Sequence, residues 1–337
     1  MAIAAAVAVV AGIVAVLATR GGGSDHAKSS ADRPASTTTS PTIAAGQVKP
    51  VVVPQGPPLD VGTMAYTRLE GPFWNVWLIG ADGSSPRPLT REQAAFPRLP
   101  VLSPDRRSVA YSMETDAGWQ LRVIDTQGAG DRLVFDHLVP DARATWSPDG
   151  KKMAFVSDKD GPADIYVLDL GSGKLTNLTH SPEAEGDPAW SPDGKSIAYW
   201  SRKGGNQDIY VIPATGGTPR RLTVEPGDDA DPAWQPFGRA IAYSSQQDGD
   251  WEIFVMDPNG NDKRQLTDNN TDDQDPSWSS DGQQIAFESK RDNPTRGDFA
   301  DIYVMAASGA DQHNITNRPG LDVHPAWGTP PPLKDDG

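Results

Sequence analysis

The sequence predicts an all-β protein, a six-bladed β-propeller of four-stranded blades, and two features of a repeat lead to this prediction. Tryptophan recurs every 44 residues, at positions 146, 190, 234 and 278, and once more at position 327. Each repeat holds four short strands with alternating apolar residues, separated by turns that contain Gly, Pro or Asp. A period near 44 residues built from four strands is typical of a propeller blade.

The two ends of the array predict how the propeller closes. Leu102 stands 44 residues before Trp146 in the same Ser-Pro-Asp context, and it begins the first of five whole repeats. Before it, residues 62–90 contain only three strands, and residues 324–327 form a lone first strand at the other end. These pieces complete a sixth blade shared by both ends, which removes open sheet edges. The predicted propeller spans residues 61–329, followed by a disordered tail at residues 330–337.

The first 19 residues carry no charged side chain and are mostly Ala, Val and Ile. As a helix they would span roughly 28 Å, about one hydrocarbon thickness. We expect a transmembrane anchor or signal-anchor helix. A cleaved signal peptide is the alternative, although the usual basic start is missing, and a buried soluble helix is the least favoured interpretation. The missing basic flank would be explained if this sequence begins inside a longer protein.

Residues 20–60 are rich in Gly, Ser, Thr and Pro and have almost no side chains to bury. Such a segment does not offset its ordering entropy, so we expect a disordered linker. Together with the helix before it, this linker predicts a single-pass protein of the cell membrane. We place the propeller outside the cytoplasm, although the basic residues that follow the helix would by themselves favour the opposite orientation.

Charge and cysteine content exclude several classes of function. The formal net charge of −15 argues against nucleic acid as a partner, because phosphates require a basic surface. It suits partners that are cationic or neutral. The sequence contains no cysteine, so disulfides, thiol catalysis, Cys-ligated zinc and a lipid-modified cysteine are excluded.

The repeat itself resembles a known family. Trp190-Ser-Pro-Asp-Gly-Lys is followed by Ile-Ala-Tyr, Asp-Ile-Tyr-Val and Arg-Leu-Thr, and most repeats keep this order. This pattern is similar to the TolB-like, WD40-like β-propeller repeat of the PD40 type. The resemblance covers roughly residues 61–328. It implies the propeller fold and a rigid scaffold for binding.

The candidate binding site lies just before the innermost strand of each blade. One equivalent position there is occupied by Leu99, Arg143, Asp187, Asp231, Asp275 and His324. We expect these side chains to ring the mouth of the central channel. The acidic members form either a solvated rim or a site for a basic segment of a protein or peptide. A calcium ion held by Asp187, Asp231 and Asp275 is a further alternative, and no other cofactor is predicted.

Three tryptophans mark the same face of the predicted propeller. Trp74, Trp119 and Trp251 stand at the start of the third strand, where other blades have Ala or Gln. A surface tryptophan has to be explained by packing or by binding. We therefore expect either packing over the hairpin or stacking on a sugar or peptide ligand.

Catalytic motifs are absent from the sequence: it contains no Gly-x-Ser-x-Gly, no phosphate-binding Gly loop and no His-Glu-x-x-His. We therefore predict a non-enzymatic module that binds a protein or peptide through the variable loops and the channel mouth. One alternative is the extracytoplasmic sensor of a receptor, such as a Ser/Thr protein kinase whose cytoplasmic part precedes this sequence. Another is a propeller enzyme that cleaves polysaccharides or peptides.

Overall fold

The computed structural model describes residues 48–92, 95–247, 249–292 and 299–328. These residues form six antiparallel sheets of four strands each, which are the blades of a propeller. The predicted all-β, six-bladed architecture is therefore confirmed. Blade 1 contains β1 (Thr63–Glu70), β2 (Phe73–Gly80), β3 (Arg87–Pro88) and the last strand of the chain, β24 (Leu321–Ala326).

The other five blades follow one another along the chain. Blade 2 contains β4 (Phe96–Leu102), β5 (Ser108–Thr115), β6 (Gly118–Asp125) and β7 (Arg132–Leu138). Blade 3 contains β8 (Ala144–Trp146), β9 (Lys152–Ser157), β10 (Asp164–Asp169) and β11 (Leu175–Asn177). Blade 4 contains β12 (Glu185–Trp190), β13 (Ser196–Ser201), β14 (Asp208–Pro213) and β15 (Arg220–Arg221), with a 3-10 turn at Arg202–Gly204.

The last two blades keep the same plan. Blade 5 contains β16 (Asp229–Trp234), β17 (Ile241–Ser245), β18 (Glu252–Met256) and β19 (Arg264–Gln265). Blade 6 contains β20 (Asp273–Trp278), β21 (Gln284–Ser289), β22 (Asp301–Ala306) and β23 (His313–Asn314). The innermost strand, which faces the channel, is β24 in blade 1 and the first strand of each of the other five blades: β4, β8, β12, β16 and β20.

The shared blade predicted from the two ends of the array is present. β24 pairs with β1 in antiparallel register, with Ala326 opposite Ala65 and Leu321 opposite Leu69. Trp327, which follows β24, packs in one apolar cluster with Met64 and Tyr66 of blade 1 and with residues of blade 6. Its indole is 1% exposed. The end of the chain thus closes the ring through both sheet pairing and core packing.

Two other repeat tryptophans also join neighbouring blades. Trp146 and Trp278 are buried, and each indole Nε1 donates a hydrogen bond to the inner strand of the preceding blade. The acceptors are the carbonyl oxygens of Val101, at 3.3 Å, and Ala233, at 3.1 Å. A large aromatic side chain adds apolar area between blades while its N–H keeps a partner.

Residues 48–60 lie along the propeller, so the prediction of a disordered linker is wrong for this part. The amide of Val48 donates to the carbonyl of Gly173 and that of Val51 to Leu170, both at 2.9 Å on blade 3. Farther along, Gly56 donates to Arg107 at 3.0 Å on blade 2. Backbone partners on the propeller and the partly buried Val48, Val51 and Val53 replace the water that a free linker would keep. The sequence missed them because the contacts are with distant turns.

No helix among residues 48–92, 95–247, 249–292 and 299–328 is long and apolar enough to cross a membrane. The membrane anchor predicted at residues 1–19 lies outside these ranges. The same is true of linker residues 20–47 and of the tail predicted at residues 330–337.

Buried acidic side chains fasten neighbouring blades together, a feature that the sequence did not reveal. Four inner strands have a buried acidic residue at their first or second position. The backbone N–H of this residue donates a hydrogen bond to a backbone carbonyl of the previous blade, at the residue just before its third strand. These donor–acceptor pairs are Glu185 and Ala163, Asp229 and Gln207, Asp273 and Trp251, and Asp322 and Ala300. Each such acid lies beside a second buried acid, for example Glu185 beside Asp164.

Glu185 should make the propeller less stable as the pH rises. Burial, together with the Asp164 charge, raises the pKa of Glu185 from 4.5 to about 7. The folded protein therefore holds this proton over a range in which the unfolded chain has lost it. Between about pH 4.5 and 7 the free energy of unfolding should fall by about 3 kcal/mol through this one group, and then stay level.

Urea unfolding at pH values on either side of this window measures the effect. In the Glu185→Gln variant the free energy of unfolding should fall by about 3 kcal/mol less between pH 4.5 and 7 than in the native protein. Glu183→Gln, which changes the half-buried glutamate nearby, is the control and should show the same fall as the native protein. Equal pH dependence in the native protein and the Glu185→Gln variant would show that Glu185 ionises normally.

Candidate functional site

The ring positions predicted from the sequence sit on a bulge of the inner strands. Strand pairing shifts register there in blades 2, 4, 5 and 6, between Gly186 and Ala189 in blade 4 for example. Five ring residues have a left-handed backbone, with φ between 48° and 58°: Leu99, Asp187, Asp231, Asp275 and His324. Asp tolerates this conformation better than most residues, and bulges commonly re-aim side chains at functional sites.

The structure brings the three ring aspartates together. The carboxyl groups of Asp187 and Asp231 lie close enough for each to raise the other's cost of ionisation, and so do those of Asp231 and Asp275. The guanidinium of Arg143, from the opposite side of the channel, forms an ion pair with Asp275. Three carboxyl groups from three successive blades therefore share one guanidinium.

A second layer of side chains holds the ring in place. The second strand of each blade contains an alanine followed by an aromatic residue, such as Ala198-Tyr199 in β13. The second layer comes from the residue that directly follows this pair. Trp200 at this position donates through Nε1 to Asp187 at 2.6 Å, and Ser244 donates to Asp231 at 2.9 Å. A Cβ added to Gly186 would lie 2.3 Å from the Trp200 indole, so this approach requires glycine.

Glu288 occupies the same second-layer position in blade 6, and sequence reasoning missed it. Its carboxylate accepts a hydrogen bond from the backbone N–H of His324 at 3.2 Å. The His324 imidazole Nε2 lies 3.6 Å from Asp275 Oδ2. The repeat alignment contained the signal, because Trp200, Ser244 and Glu288 follow the aromatic residue of their strands in the same register.

The electrostatics of the ring favour a cation. Removal from water and the neighbouring Asp231 raise the pKa of Asp187 to about 6. Burial and the Asp275 charge likewise raise the pKa of Asp231, to about 7, and that of Glu288 to well above its usual range. Burial and Arg143 lower the pKa of His324, which keeps its imidazole neutral. A cation among these carboxyl groups would relieve their mutual repulsion.

Two of the three predicted surface tryptophans surround an arginine. The guanidinium of Arg98 lies 5.5 Å from the ring centroid of Trp74 and 4.9 Å from that of Trp119, which are cation–π distances. Arg98 also forms an ion pair with Asp141 at 2.9 Å. Packing on Arg98 accounts for both indoles without a ligand. Trp251 precedes β18 of blade 5, and blade 6 separates it from the other two.

Two cavities lie on the side of the ring that carries the Ser-Pro-Asp-Gly-type turns. One of about 110 Å³ lies in the channel, where Arg143 and His324 meet the prolines and alanines of the inner strands. A larger one of about 820 Å³ opens between the turns of blades 3, 4 and 5, and the two cavities share Trp190 and Trp234 in their walls. The rim of the larger cavity includes Phe237, which is 45% exposed. The sequence analysis placed all binding at the variable loops and the channel mouth instead.

Comparison with known proteins agrees with this architecture. Residues 61–231 and 225–296 match the family described as the TolB beta propeller domain. This chain belongs to that family. A Tol-Pal system protein TolB from Histophilus somni is 28% identical over 158 residues, which are 40% of this chain and 35% of the relative. The match therefore spans about a third of that TolB protein.

Solved structures with this fold include TolB proteins and an enzyme. TolB from Acinetobacter baumannii superposes with a TM-score of 0.70 at 23% identity, covering 80% of this chain and 67% of that chain. An oligogalacturonate lyase in complex with manganese superposes with a TM-score of 0.53 at 18% identity, covering 76% and 74% of the two chains. At these identities the likeness shows the TolB-type propeller fold alone, so activity has to be argued from the site.

Proposed function

We propose that this chain is a non-enzymatic binding module that holds a basic segment of a protein or peptide at the mouth of its channel. The observation that carries the proposal is the convergence of Asp187, Asp231 and Asp275 on one side of the channel, with Arg143 as their one ion-pair partner among the described residues. A Lys or Arg side chain of the partner would balance the negative charge of these carboxyl groups.

The position of the site supports binding to an extended segment. We expect the ring to lie at the end of a channel whose wall is made of rigid inner strands, with the hairpins of the variable face around it. Loops and bulges on a rigid scaffold are common sites of recognition. The long-range field of a chain with a net charge of −15 would also attract a basic partner.

We further propose that the propeller works outside the cytoplasm, tethered to the cell membrane through residues 1–19. The apolar character of that segment, together with the Gly-, Ser-, Thr- and Pro-rich residues that follow it, motivates this location. Protease accessibility in intact spheroplasts tests it, because a cytoplasmic propeller would survive until lysis.

Neutralising the three ring aspartates should weaken binding of a basic peptide at least about tenfold, a loss of about 1.4 kcal/mol. Asn keeps the shape of Asp and tolerates the left-handed backbone, so Asp187→Asn, Asp231→Asn and Asp275→Asn are combined. The probe is a labelled tetra-arginine peptide, and fluorescence anisotropy measures its affinity at low and high salt. Affinity for the native chain should fall with salt.

Two controls separate site binding from general attraction. A peptide of four citrullines, which are neutral and nearly isosteric with arginine, should not bind. A triple variant with the same change in net charge elsewhere, at the exposed Asp116, Asp136 and Asp262, should bind tetra-arginine almost normally. Equal losses in both triple variants would mean that net charge alone attracts the peptide. Because Asp275 also pairs with Arg143, the Asp187/Asp231 double variant is measured as well.

A further inference from the structure

We propose that Asp275, Glu288 and His324 form a binding site for a divalent transition-metal ion of the zinc class. One potential ligand atom from each of these side chains lies within 4.8 Å of the other two. This site differs from the calcium site predicted at Asp187, Asp231 and Asp275, because Glu288 and His324 take the place of Asp187 and Asp231 and an imidazole nitrogen therefore replaces one of the oxygens. Imidazole and carboxylate together suit Zn²⁺, whereas Ca²⁺ takes six to eight oxygens.

The geometry is close to that of a metal centre. Two ligands bonded to zinc at about 2.1 Å in a tetrahedral site are about 3.4 Å apart. His324 Nε2 and Asp275 Oδ2 are 3.6 Å apart, which is near that separation. The Glu288 ligand atom lies within 4.8 Å of the other two, so it needs a movement of at most about 1.4 Å to reach the tetrahedral separation. Three protein ligands would leave a fourth position for water or for a group of a bound ligand.

The surrounding contacts orient the three side chains. Asp275 accepts a hydrogen bond from the Arg143 guanidinium through Oδ1, which leaves Oδ2 on the side of His324. Glu288 is tied through Oε2 to the backbone N–H of His324. Ligating carboxylates in metal sites are commonly held by such outer hydrogen bonds. Rigid strands supply all three residues, since Glu288 lies within β21, Asp275 within β20 and His324 within β24.

Carboxyl groups outnumber basic groups around this imidazole. Asp187, Asp231, Asp275 and Glu288 supply four carboxyl groups, and among the described residues Arg143 forms an ion pair with Asp275 alone. Lys290 is a basic group that acts on Glu288. Carboxylate oxygens together with an imidazole nitrogen are a donor set that Zn²⁺ accepts.

Metal titration of the full chain tests the proposal. The protein is expressed without a histidine tag, stripped with a chelator and titrated with Co²⁺, whose visible absorption reports its coordination, and with Zn²⁺ by calorimetry. One ion should bind per chain. Two variants each remove one proposed ligand: His324→Asn, whose side chain suits the left-handed backbone, and the isosteric Glu288→Gln. Each should weaken metal binding at least about 100-fold, because the loss of a residue that only orients a ligand already weakens binding by up to about that much.

Control variants and competition decide between this site and others. The exposed His137 lies beside Asp136, so His137→Asn removes another imidazole next to a carboxylate and should leave both titrations unchanged. Calcium in moderate excess should not displace Co²⁺. The proposal is overturned if no stoichiometric ion binds, if His324→Asn or Glu288→Gln binds as the native chain does, or if calcium displaces Co²⁺ at equal concentration.

Metal affinity is measured without any peptide. The metal-site proposal is therefore tested independently of the proposed binding of a basic segment. Circular dichroism and urea unfolding of each variant establish that a loss of binding occurs in a folded propeller. If one variant fails to fold, the other still decides the outcome, because Glu288 and His324 lie on different strands.

Discussion

Replacing Trp327 by alanine should lower the free energy of unfolding by about 3–5 kcal/mol, the usual effect of deleting a fully buried aromatic side chain. Its indole fills the space between blades 1 and 6, where Met64 and Tyr66 contact it. Its backbone N–H donates to Ser277 Oγ at 3.0 Å. The loss would fall beside blade 1, where the ring is closed by the pairing of β24 with β1 and not by a connecting loop. Urea unfolding followed by circular dichroism measures it.

Trp251→Ala is the matched control, since it removes an indole that is only half-buried. That variant should lose about 1 kcal/mol, the centre of the range for point mutants. If Trp327→Ala unfolded at the same urea concentration as the native chain, the closing strand would not contribute to the stability of the ring.

Replacing Arg106 by glycine should cost more than about 3 kcal/mol of stability. The guanidinium donates to four backbone carbonyls, and hydrogen bonds from a charged group contribute about 1.5–3 kcal/mol each, though not additively. The acceptors are Leu59 at 3.1 Å, Asp60 at 2.5 Å, Thr63 at 2.6 Å and Trp327 at 2.8 Å. Arg106 therefore links the segment before β1, the start of β1 and the end of β24.

Glycine is chosen because the backbone at this position already suits it. Arg106 has φ of 59° and occupies the glycine position of the Ser-Pro-Asp-Gly turn, where Gly150 and Gly194 have φ of 68° and 71°. The substitution thus removes the guanidinium without straining the turn. Arg107→Gly is the control, because the exposed Arg107 guanidinium reaches one carbonyl, that of Gly56. Equal stability of the two variants would contradict the clamp.

The periodic pattern of the sequence determined the architecture of this protein. Strand alternation, turn residues and the 44-residue spacing of tryptophan are local signals, and each repeat presents them again. The same register predicted that Asp187, Asp231 and Asp275 lie at one level of the channel, because equivalent positions of successive blades are related by the rotation of the propeller. Closure by the last strand followed from counting the pieces at both ends.

Only the tertiary structure decided which partners those residues find. The pairing of Arg143 with Asp275 crosses the channel, and the contact of Arg106 with Trp327 joins residues 221 apart in the chain. Glu288 is one of several side chains that share a second-layer position, and its sequence context does not separate it from Ser244. Neither the fit of Arg98 between Trp74 and Trp119 nor the placement of residues 48–60 has a local signature.

The physical reason lies in the range of the interactions. Backbone geometry and burial act within a few residues of one another, so they leave a periodic record that is legible in one sequence. Ion pairs, cation–π contacts and shared protons depend on distances between side chains from different blades, and these distances exist only once the ring has closed.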